Sequence, residues 1–442
     1  MKIHLIAIGG SAMHNMALAL HHKGFEVTGS DDAIFSPSKE RLEKYNLLPD
    51  KMGWFANKIT TDLDAIILGM HAKKDNLELK EAKKLNIPTY SYPEYIYEQS
   101  KNKKRIVVGG SHGKTSITAM VLHVLQNLNI DCDYMVGAQL EGFDTMVKLT
   151  HNAPVIILEG DEYLSSPIDR RPKFHLYKPH IAVISGISWD HINVFPTFEI
   201  YINQFRIFKN MVKNTLIYCE EDEELKKLSK EGAKCKLIGY SAPIHTIENG
   251  ITKVENIELL IFGDHNLQNL NAARLVCNEL GVSDSNFYQK IATFKGASNR
   301  LELVKKTGTS AIYKDFAHSP SKLRATSSAM KKQFDGKKLV ACIELHTFSS
   351  LNEEFLKQYK GCMNEPDTAI IYFNPKAISH KNLEAITKEQ VHNAFEREDL
   401  LVFTDSKKLE KHLTSLNWEN QNLLMMSSGN FNKIDLKKLN NL

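Results

Sequence analysis

The sequence predicts an α/β protein of three domains: an N-terminal Rossmann-like domain (1–104), a central phosphate-loop domain (105–299) and a C-terminal Rossmann-like domain (300–442). Three observations predict it. Short apolar runs alternate with helix-like patterns along the chain, which is typical of parallel sheets with crossover helices. A glycine-rich loop separates one such run from a helix near residue 110. The length of 442 residues suits two to four domains, each with its own core.

The first domain begins with a predicted strand at 3–8, a helix to about residue 23 and a second strand at 25–29. Later strands are predicted at 63–69 and 88–91. Gly9 and Gly10 follow the first strand, and Asp31 follows the second. This arrangement suggests a nucleotide diphosphate, and the alternative is a tight strand-to-helix turn. The full GxGxxG fingerprint is missing, so the pattern does not support NAD.

The second domain opens on a phosphate-binding loop, Gly110-Ser-His-Gly-Lys-Thr115, between a predicted strand at 105–109 and a helix at 116–128. Such a loop directs backbone N–H groups and a helix N-terminus at phosphate oxygens. Lys114 would neutralise the β- and γ-phosphates, and the Thr115 hydroxyl would bind Mg²⁺. The standard motif has a glycine where this chain has Val108. The alternative interpretation is an ordinary glycine turn.

Two candidate metal ligands, Glu159 and His191, lie at or after the ends of predicted strands of the same domain, at 154–159 and 181–186. Glu159 ends the first and opens an acidic segment, so it is a candidate Mg²⁺ ligand at the carboxyl edge of the sheet. The alternative is an acidic turn that caps the next helix. His191 follows the second strand, and it is either a metal ligand or a structural histidine. A further strand is predicted at 214–218.

A helix at 266–281 carries Asn266 and Asn269, which are neighbours on one helical face. Their amides could recognise a purine edge, or Asn266 could merely cap the helix. In the third domain, strands are predicted at 310–315, 338–344 and 368–373. Asp315 ends the first of them and could accept hydrogen bonds from ribose hydroxyls; the alternative is a strand-end turn stabilised by Pro320.

Composition limits the classes of partner. Hydrophobic residues make up 42% of the chain and charged residues 24%, which is typical of a globular enzyme. The net charge of +4 includes no long basic tract, so no nucleic-acid partner is expected. The six cysteines lack CxxC spacing and are expected to be reduced thiols. No apolar run reaches membrane-spanning length, so we expect a cytoplasmic protein with no membrane partner.

Taken together and in this order, the motifs resemble those of the Mur ligase family, the ATP-dependent amide-bond ligases of peptidoglycan. The resemblance also includes Gly263-x-His-Asn-x-x-Asn269, Asn299-Arg-Leu-Glu302 and Asp315-Phe-Ala-His-Ser-Pro320. It implies that the loop is the shorter form of the motif that starts at Gly110, which requires no glycine at position 108. It also implies ATP and two Mg²⁺ as cofactors, and closure of the domains, because Asp315 and the loop lie in different ones.

The resemblance further implies specific residue roles. The implied ATP-binding residues are Gly110, Ser111, His112, Gly113, Lys114, Thr115, Ser116, His265, Asn266, Asn269, Arg300 and Asp315. The implied metal ligands are Thr115, Glu159 and His191, and the implied catalytic residues are Lys114, Glu159, His191 and Arg300. The implied UDP-sugar residues are Gly9, Gly10, Ser11, Met13, Asp31 and His71.

Within the family, the segments at 7–10 and 29–31 are similar to the two members that act on UDP-N-acetylmuramate. The segment at 161–174 is similar to the member that attaches the murein tripeptide L-Ala-γ-D-Glu-meso-diaminopimelate in peptidoglycan recycling, and this is the preferred interpretation. The alternative is the member that adds L-alanine in de novo synthesis, and a further alternative is a phosphate-loop regulator that ligates nothing. After the second C-terminal strand the recycling pattern contains an arginine, and this chain has Glu344-Leu-His-Thr-Phe-Ser-Ser350 there. The amine-site residues, the general base and the oligomeric state therefore stay unassigned.

Overall fold

The computed structural model describes residues 1–189, 194–297, 300–375 and 386–436. The chain divides into two compact units, Met1–Ser241 with Gln268–Lys290, and Ala242–Leu267 with Ile291–Leu442. The first unit contains two largely parallel sheets and the second contains one. The predicted α/β class is therefore confirmed, with one largely parallel sheet for each of the three predicted domains, and the residue boundaries of those domains stay predictions.

The first sheet of unit one is entirely parallel, with strand order β2-β1-β3-β4. The order reverses between β1 and β3, which makes the carboxyl ends of these two strands a switch point where open α/β sheets bind ligands. The elements are β1 (Lys2–Ile6), α1 (Ser11–His22), β2 (Glu26–Ser30), α2 (Ser38–Lys44), a 3₁₀ turn (Ala56–Lys58), β3 (Ala65–Leu68), α3 (Leu77–Lys84), β4 (Thr89–Ser91) and α4 (Tyr92–Ser100).

The second sheet of unit one has seven strands in the order β11-β10-β9-β5-β8-β6-β7, parallel except for the edge strand β7. Its strands are β5 (Lys104–Gly109), β6 (Asp133–Met135), β7 (Val147–Lys148), β8 (Val155–Glu159), β9 (Ile181–Ile184), β10 (Thr215–Cys219) and β11 (Lys236–Tyr240). The helices in this part of the chain are α5 (Lys114–Asn127), α6 (Lys173–Leu176), α7 (Phe198–Met211), α8 (Glu223–Lys230), α9 (Asp264–Glu279) and α10 (Asp284–Ile291). Strand β5 lies between β8 and β9, so the phosphate loop leaves the middle of the sheet.

The second unit contains an antiparallel sheet of three strands and a mixed sheet of six, ordered β15-β16-β20-β17-β18-β19. The strands are β12 (Thr246–Glu248), β13 (Ile251–Val254), β14 (Ile257–Leu259), β15 (Glu302–Lys306), β16 (Ala311–Asp315), β17 (Lys338–Glu344), β18 (Thr368–Tyr372), β19 (Leu401–Phe403) and β20 (Gln421–Met426). The helices are α11 (Pro320–Gln333), α12 (Glu353–Leu356), α13 (Lys388–Phe395) and α14 (Ser406–Ser415), with 3₁₀ turns at Ser349–Leu351 and Lys357–Tyr359. Only β15 runs antiparallel in the six-stranded sheet.

Helix α5 forms as its apolar spacing predicts. Ile117, Met120, Val121, Val124 and Leu125 recur at helical spacing, and all are buried at 0–1% exposure. This face packs the helix beside β5 and β8. The helix N-terminus, and the loop before it, are thereby fixed at the carboxyl edge of the sheet.

The cysteines and the lengths of the helices bear on the expected reduced thiols and the expected lack of a membrane-spanning segment. All six cysteines are free thiols. Among the described ranges, no helix is both long enough and apolar enough to cross a membrane.

One lysine of the lysine-rich segment before β5 is buried in an ion pair. Lys103 is buried, and its Nζ lies 2.5 Å from Asp133 Oδ2 on β6. Asp133 also accepts hydrogen bonds from the Thr150 amide and hydroxyl, at 3.0 and 2.8 Å. This buried pair anchors the start of the strand that leads into the phosphate loop.

We expect Lys103→Met to lower the free energy of unfolding by about 3 kcal/mol, because it leaves the Asp133 carboxylate buried without its cation. Urea unfolding followed by far-UV circular dichroism measures the change. Lys148→Met is the matched control, because it removes a pair with Asp131 that is exposed at both side chains. That loss should cost under about 1 kcal/mol. Equal shifts in the two variants would contradict the prediction.

Candidate active site

The phosphate loop depends on two glycines in the left-handed region. Gly113 has φ 77° and caps α5, and Gly110 has φ 124°. A Cβ built on Gly113 would collide with Asn269 Oδ1, and one built on Gly110 would collide with Ser185 Oγ. Both positions therefore require glycine for conformation and for space. Val108 is fully buried within β5, so the loop does start after it, at Gly110.

Glu159 lies at the carboxyl end of β8, directly beside the loop. Its Oε1 accepts the Thr115 hydroxyl at 2.9 Å, and its Oε2 accepts the Gly137 N–H at 2.8 Å. Burial raises the pKa of Glu159, although the Gly137 N–H and Lys114 oppose this. A Cβ on Gly137 would lie 2.6 Å from Glu159 Oε1, so any larger residue there would force the carboxylate to shift.

The Thr115 hydroxyl and the Glu159 carboxylate fit Mg²⁺, because both are hard oxygen donors within one coordination sphere of each other. In the described ranges no group of three His, Cys, Asp or Glu side chains could hold a metal. Mg²⁺ would therefore take its remaining ligands from phosphate and water. His191, the predicted ligand of a second ion, lies outside the described residues, as do Asp190 and Asn299.

The Lys114 ammonium is held among anions. Its Nζ donates to the Gly110 carbonyl at 2.6 Å and to Glu162 Oε2 at 2.7 Å. Burial alone would lower the pKa of Lys114, but Glu162 and Asp161 outweigh it and raise that pKa above its usual value. Asp161 pairs in turn with Lys173, at 2.6 Å. Lys114 is therefore charged at any pH at which the protein would be assayed.

Tyr201, on α7, is a loop contact that no sequence motif indicated. Its hydroxyl lies 2.8 Å from Ser111 Oγ and donates to Glu162 Oε1 at 3.2 Å. The Ser188 N–H donates to the same Ser111 oxygen at 2.8 Å. Nothing in the sequence marks Tyr201, because its position in an amphipathic helix is equally typical of an ordinary core residue.

In the second unit, Asp315 lies where β16 ends. Its two carboxylate oxygens accept the N–H groups of Leu301, at 2.7 Å, and Ala317, at 2.6 Å. Burial raises the pKa of Asp315, whereas Arg300 and the Leu301 N–H lower it. The Arg300 guanidinium lies 4.9 Å above the Phe316 ring. Each Asp315 oxygen keeps a lone pair that could accept a ligand hydroxyl.

His265 belongs to the same cluster of the second unit. Burial lowers its pKa, against the raising influence of Asp315 and Asp264. Asn266 is buried, and its Nδ2 donates to the Phe262 carbonyl at 3.0 Å. Asn269, three residues further along α9, lies instead against Gly113 in the first unit. The two amides therefore have different surroundings, although one helix carries both.

The predicted UDP-sugar residues lie at the switch point of the first sheet. Gly9 N–H donates to Asp31 Oδ2 at 2.7 Å, and burial raises the pKa of Asp31. A Cβ built on Gly10 would lie 3.8 Å from His71, which is exposed beside the end of β3. Ser11 is exposed at the start of α1.

Met13 is buried, as Asp31 is. It is 4% exposed, and a Cβ built on Gly69, directly after β3, would lie 3.1 Å from its Cγ. Met13 therefore packs the start of α1 close to the end of β3.

Comparisons with known proteins match both parts of the first unit. Residues 108–277 match the Mur ligase middle domain, and residues 2–104 match the catalytic domain of the Mur ligase family. The UDP-N-acetylmuramate–L-alanine ligase of Sulfurihydrogenibium sp. is 32% identical over 384 residues, which cover 84% of this chain and 82% of that protein. The chain belongs to the Mur ligase family. Members of this family are ATP-dependent ligases that form carbon–nitrogen bonds.

Solved structures of Mur ligases share the fold over nearly the whole chain. The UDP-N-acetylmuramate–alanine ligase of Thermotoga maritima has a TM-score of 0.70 at 21% identity, and it covers 98% of this chain and 96% of its own. A murein peptide ligase from Psychrobacter arcticus has a TM-score of 0.63 at 22% identity, with 100% and 98% covered. The sequence relatives carry the name of the alanine-adding member, so the comparisons favour the alternative over the tripeptide interpretation.

We expect Gly137→Ala to reduce turnover of this Mur ligase about 100-fold, because the added methyl group displaces the Glu159 carboxylate by an ångström or more. Phosphate release in the presence of ATP and Mg²⁺ measures the effect. Gly308→Ala is the control, because a Cβ there has no neighbour within 4 Å. Wild-type turnover in Gly137→Ala, with an unchanged circular dichroism spectrum, would show that turnover does not need the close approach of Gly137 to the Glu159 carboxylate.

Proposed function

We propose that this Mur ligase joins L-alanine to the lactyl carboxylate of UDP-N-acetylmuramate at the expense of ATP. The observation that carries the proposal is the set of Lys114, Thr115 and Glu159 at the carboxyl ends of adjacent strands, in a chain whose similar relatives are named for this reaction. The TM-score to the alanine ligase structure supports the same member.

The reaction would pass through an acyl phosphate. A carboxylate oxygen attacks the γ-phosphorus of ATP and ADP leaves; the amine nitrogen then attacks the acyl carbon, and phosphate leaves with the acyl oxygen. Lys114 and the loop N–H groups would stabilise the charge on the transferring phosphoryl group, which is electrostatic catalysis in a fixed site. Mg²⁺, held by Thr115 and Glu159, would neutralise further phosphate charge.

We assign the nucleoside of ATP to Asp315, Arg300 and His265, where free lone pairs and a cation are grouped. The UDP-sugar is assigned to the switch point lined by Gly10 and His71, since the exposed start of α1 suits a diphosphate. Asn269 would support the phosphate loop through Gly113, because that is the group it contacts.

A second candidate is the ligation of the murein tripeptide. The segment at 161–174 favours it, because four of its charged residues form two internal pairs, Lys173 with Asp161 and Arg171 with Asp169, each at 2.6 Å. A segment ordered by such ion pairs suits recognition of a substrate better than it suits a loop that only joins two elements. The structural likeness to a murein peptide ligase over the full chain supports the same candidate.

The decisive assay supplies purified protein with UDP-N-acetylmuramate, ATP and Mg²⁺, and compares L-alanine with the tripeptide as the amine. We expect ADP and a new UDP-linked product with L-alanine, detected by mass spectrometry. Product with the tripeptide alone would replace the first candidate by the second. ATP binding without product from either amine would instead support the non-ligating regulator.

Lys114→Met should lower turnover about 100- to 1000-fold, because the variant removes the ammonium that donates to the Gly110 carbonyl inside the loop. The change is measured as steady-state ADP formation with the preferred amine. Lys227→Met is the control, because Lys227 is exposed and pairs only within its own helix. A loss below tenfold in Lys114→Met would contradict the assigned role.

A further inference from the structure

A closed set of hydrogen bonds surrounds the phosphate loop. Ser111 contacts the Tyr201 hydroxyl, Tyr201 donates to Glu162, and Glu162 accepts the Lys114 ammonium, which also donates to Gly110. We call this set the loop ring. It begins and ends on the loop itself, so Glu162 and Tyr201 connect two loop positions through side chains outside it.

The loop ring fixes the direction of the ammonium. An ammonium has three N–H groups, and two of those on Lys114 are used by Gly110 and Glu162. In the part of the chain that the structure describes, no third acceptor is in place, so one N–H is left for a phosphate oxygen. Lys114 is therefore oriented before any nucleotide arrives, which is the condition for preorganised electrostatic catalysis.

Separating the Glu162–Lys114 ion pair would cost free energy, because Glu162 is deeply buried. Its side chain is 2% exposed, and that of Lys114 is 16% exposed. Withdrawal of the ammonium would leave an uncompensated carboxylate in a site with little water. The pair should therefore persist when phosphates bind, and Glu162 should offset part of the lysine charge that the nucleotide meets.

We propose that Glu162 and Tyr201 are positioning residues that hold Lys114 for phosphoryl transfer, at the cost of weaker nucleotide binding in the ground state. The inference rests on the proposed use of ATP at this loop. It goes further by assigning a cost in nucleotide affinity and a gain in turnover to Glu162 and Tyr201, neither of which is among the predicted site residues.

The hydroxyl of Tyr201 can be tested apart from its ring. The ring is fully buried and packs on Phe195 and Phe205, with centroids 5.4 and 5.2 Å away. Tyr201→Phe keeps this packing and removes only the oxygen. Tyr177→Phe is the matched control, because the Tyr177 hydroxyl is buried with no hydrogen-bond partner among the described residues.

In the full-length protein we expect Tyr201→Phe to lower kcat about tenfold, the loss from one hydrogen bond of about 1.4 kcal/mol. The Kd for ATP, from isothermal titration calorimetry, should stay within about threefold of wild type. Tyr177→Phe should match wild type in both quantities. Wild-type kcat in Tyr201→Phe would overturn the proposal.

Glu162→Gln supplies the readout that a merely structural role would not change. The amide keeps the shape and its acceptor oxygen but removes the charge that offsets Lys114. We expect tighter binding of ATP and ADP, about threefold or more, together with at least tenfold lower kcat. Weaker nucleotide binding together with lower kcat would indicate general damage and overturn the proposal.

The two hypotheses fail in different ways. Absence of product from the wild-type protein with either amine would refute the proposed ligation, whereas the nucleotide titrations would still measure the effect of Glu162 on affinity. A wild-type protein that ligates, combined with unchanged affinity and turnover in both variants, would refute only the positioning role.

Discussion

The carboxyl edge of the parallel sheets is the constraint on which the rest of this molecule depends. Crossover connections return each strand in the same direction, so neighbouring strands end together. Strands β9, β5 and β8 therefore bring Ser185, the phosphate loop and Glu159 to one place, although they are far apart in sequence. The first sheet gathers Gly10 and His71 by the same geometry.

Charge balance is the second constraint on the loop. The Lys114 ammonium faces the Glu162, Asp161 and Glu159 carboxylates, which raise its pKa, and Lys173 pairs with Asp161, so among the described residues three carboxylates meet two ammoniums. Such a site is anionic before any phosphate enters it. An ATP site with this balance would need cations from outside the chain, and Thr115 and Glu159 would supply oxygen ligands for the proposed Mg²⁺.

The sequence predicted the elements that are apolar, β-branched and central, such as β5, β8 and β17, to within a residue or two. It missed β6, β7 and β19, because strands of two or three residues carry too little pattern. It also missed the central strand β20, whose sequence QNLLMM contains no β-branched residue. It also missed Gly137 and Tyr201. Their importance arises from close approach to Glu159 and Ser111, and contacts between distant segments leave no periodicity in the chain.

The end of β17 explains how the second unit differs from the recycling pattern. Glu344 is buried, and its Oε2 accepts the Ser427 hydroxyl and the Phe431 N–H. The carboxylate is therefore engaged in fixing the loop after β20, and it is not available to an amine. The half-exposed His346 follows, with its Nδ1 3.9 Å from Glu344 Oε1. The segment from 344 to 350 contains no arginine, so the residue typical of the recycling pattern is absent from this strand end.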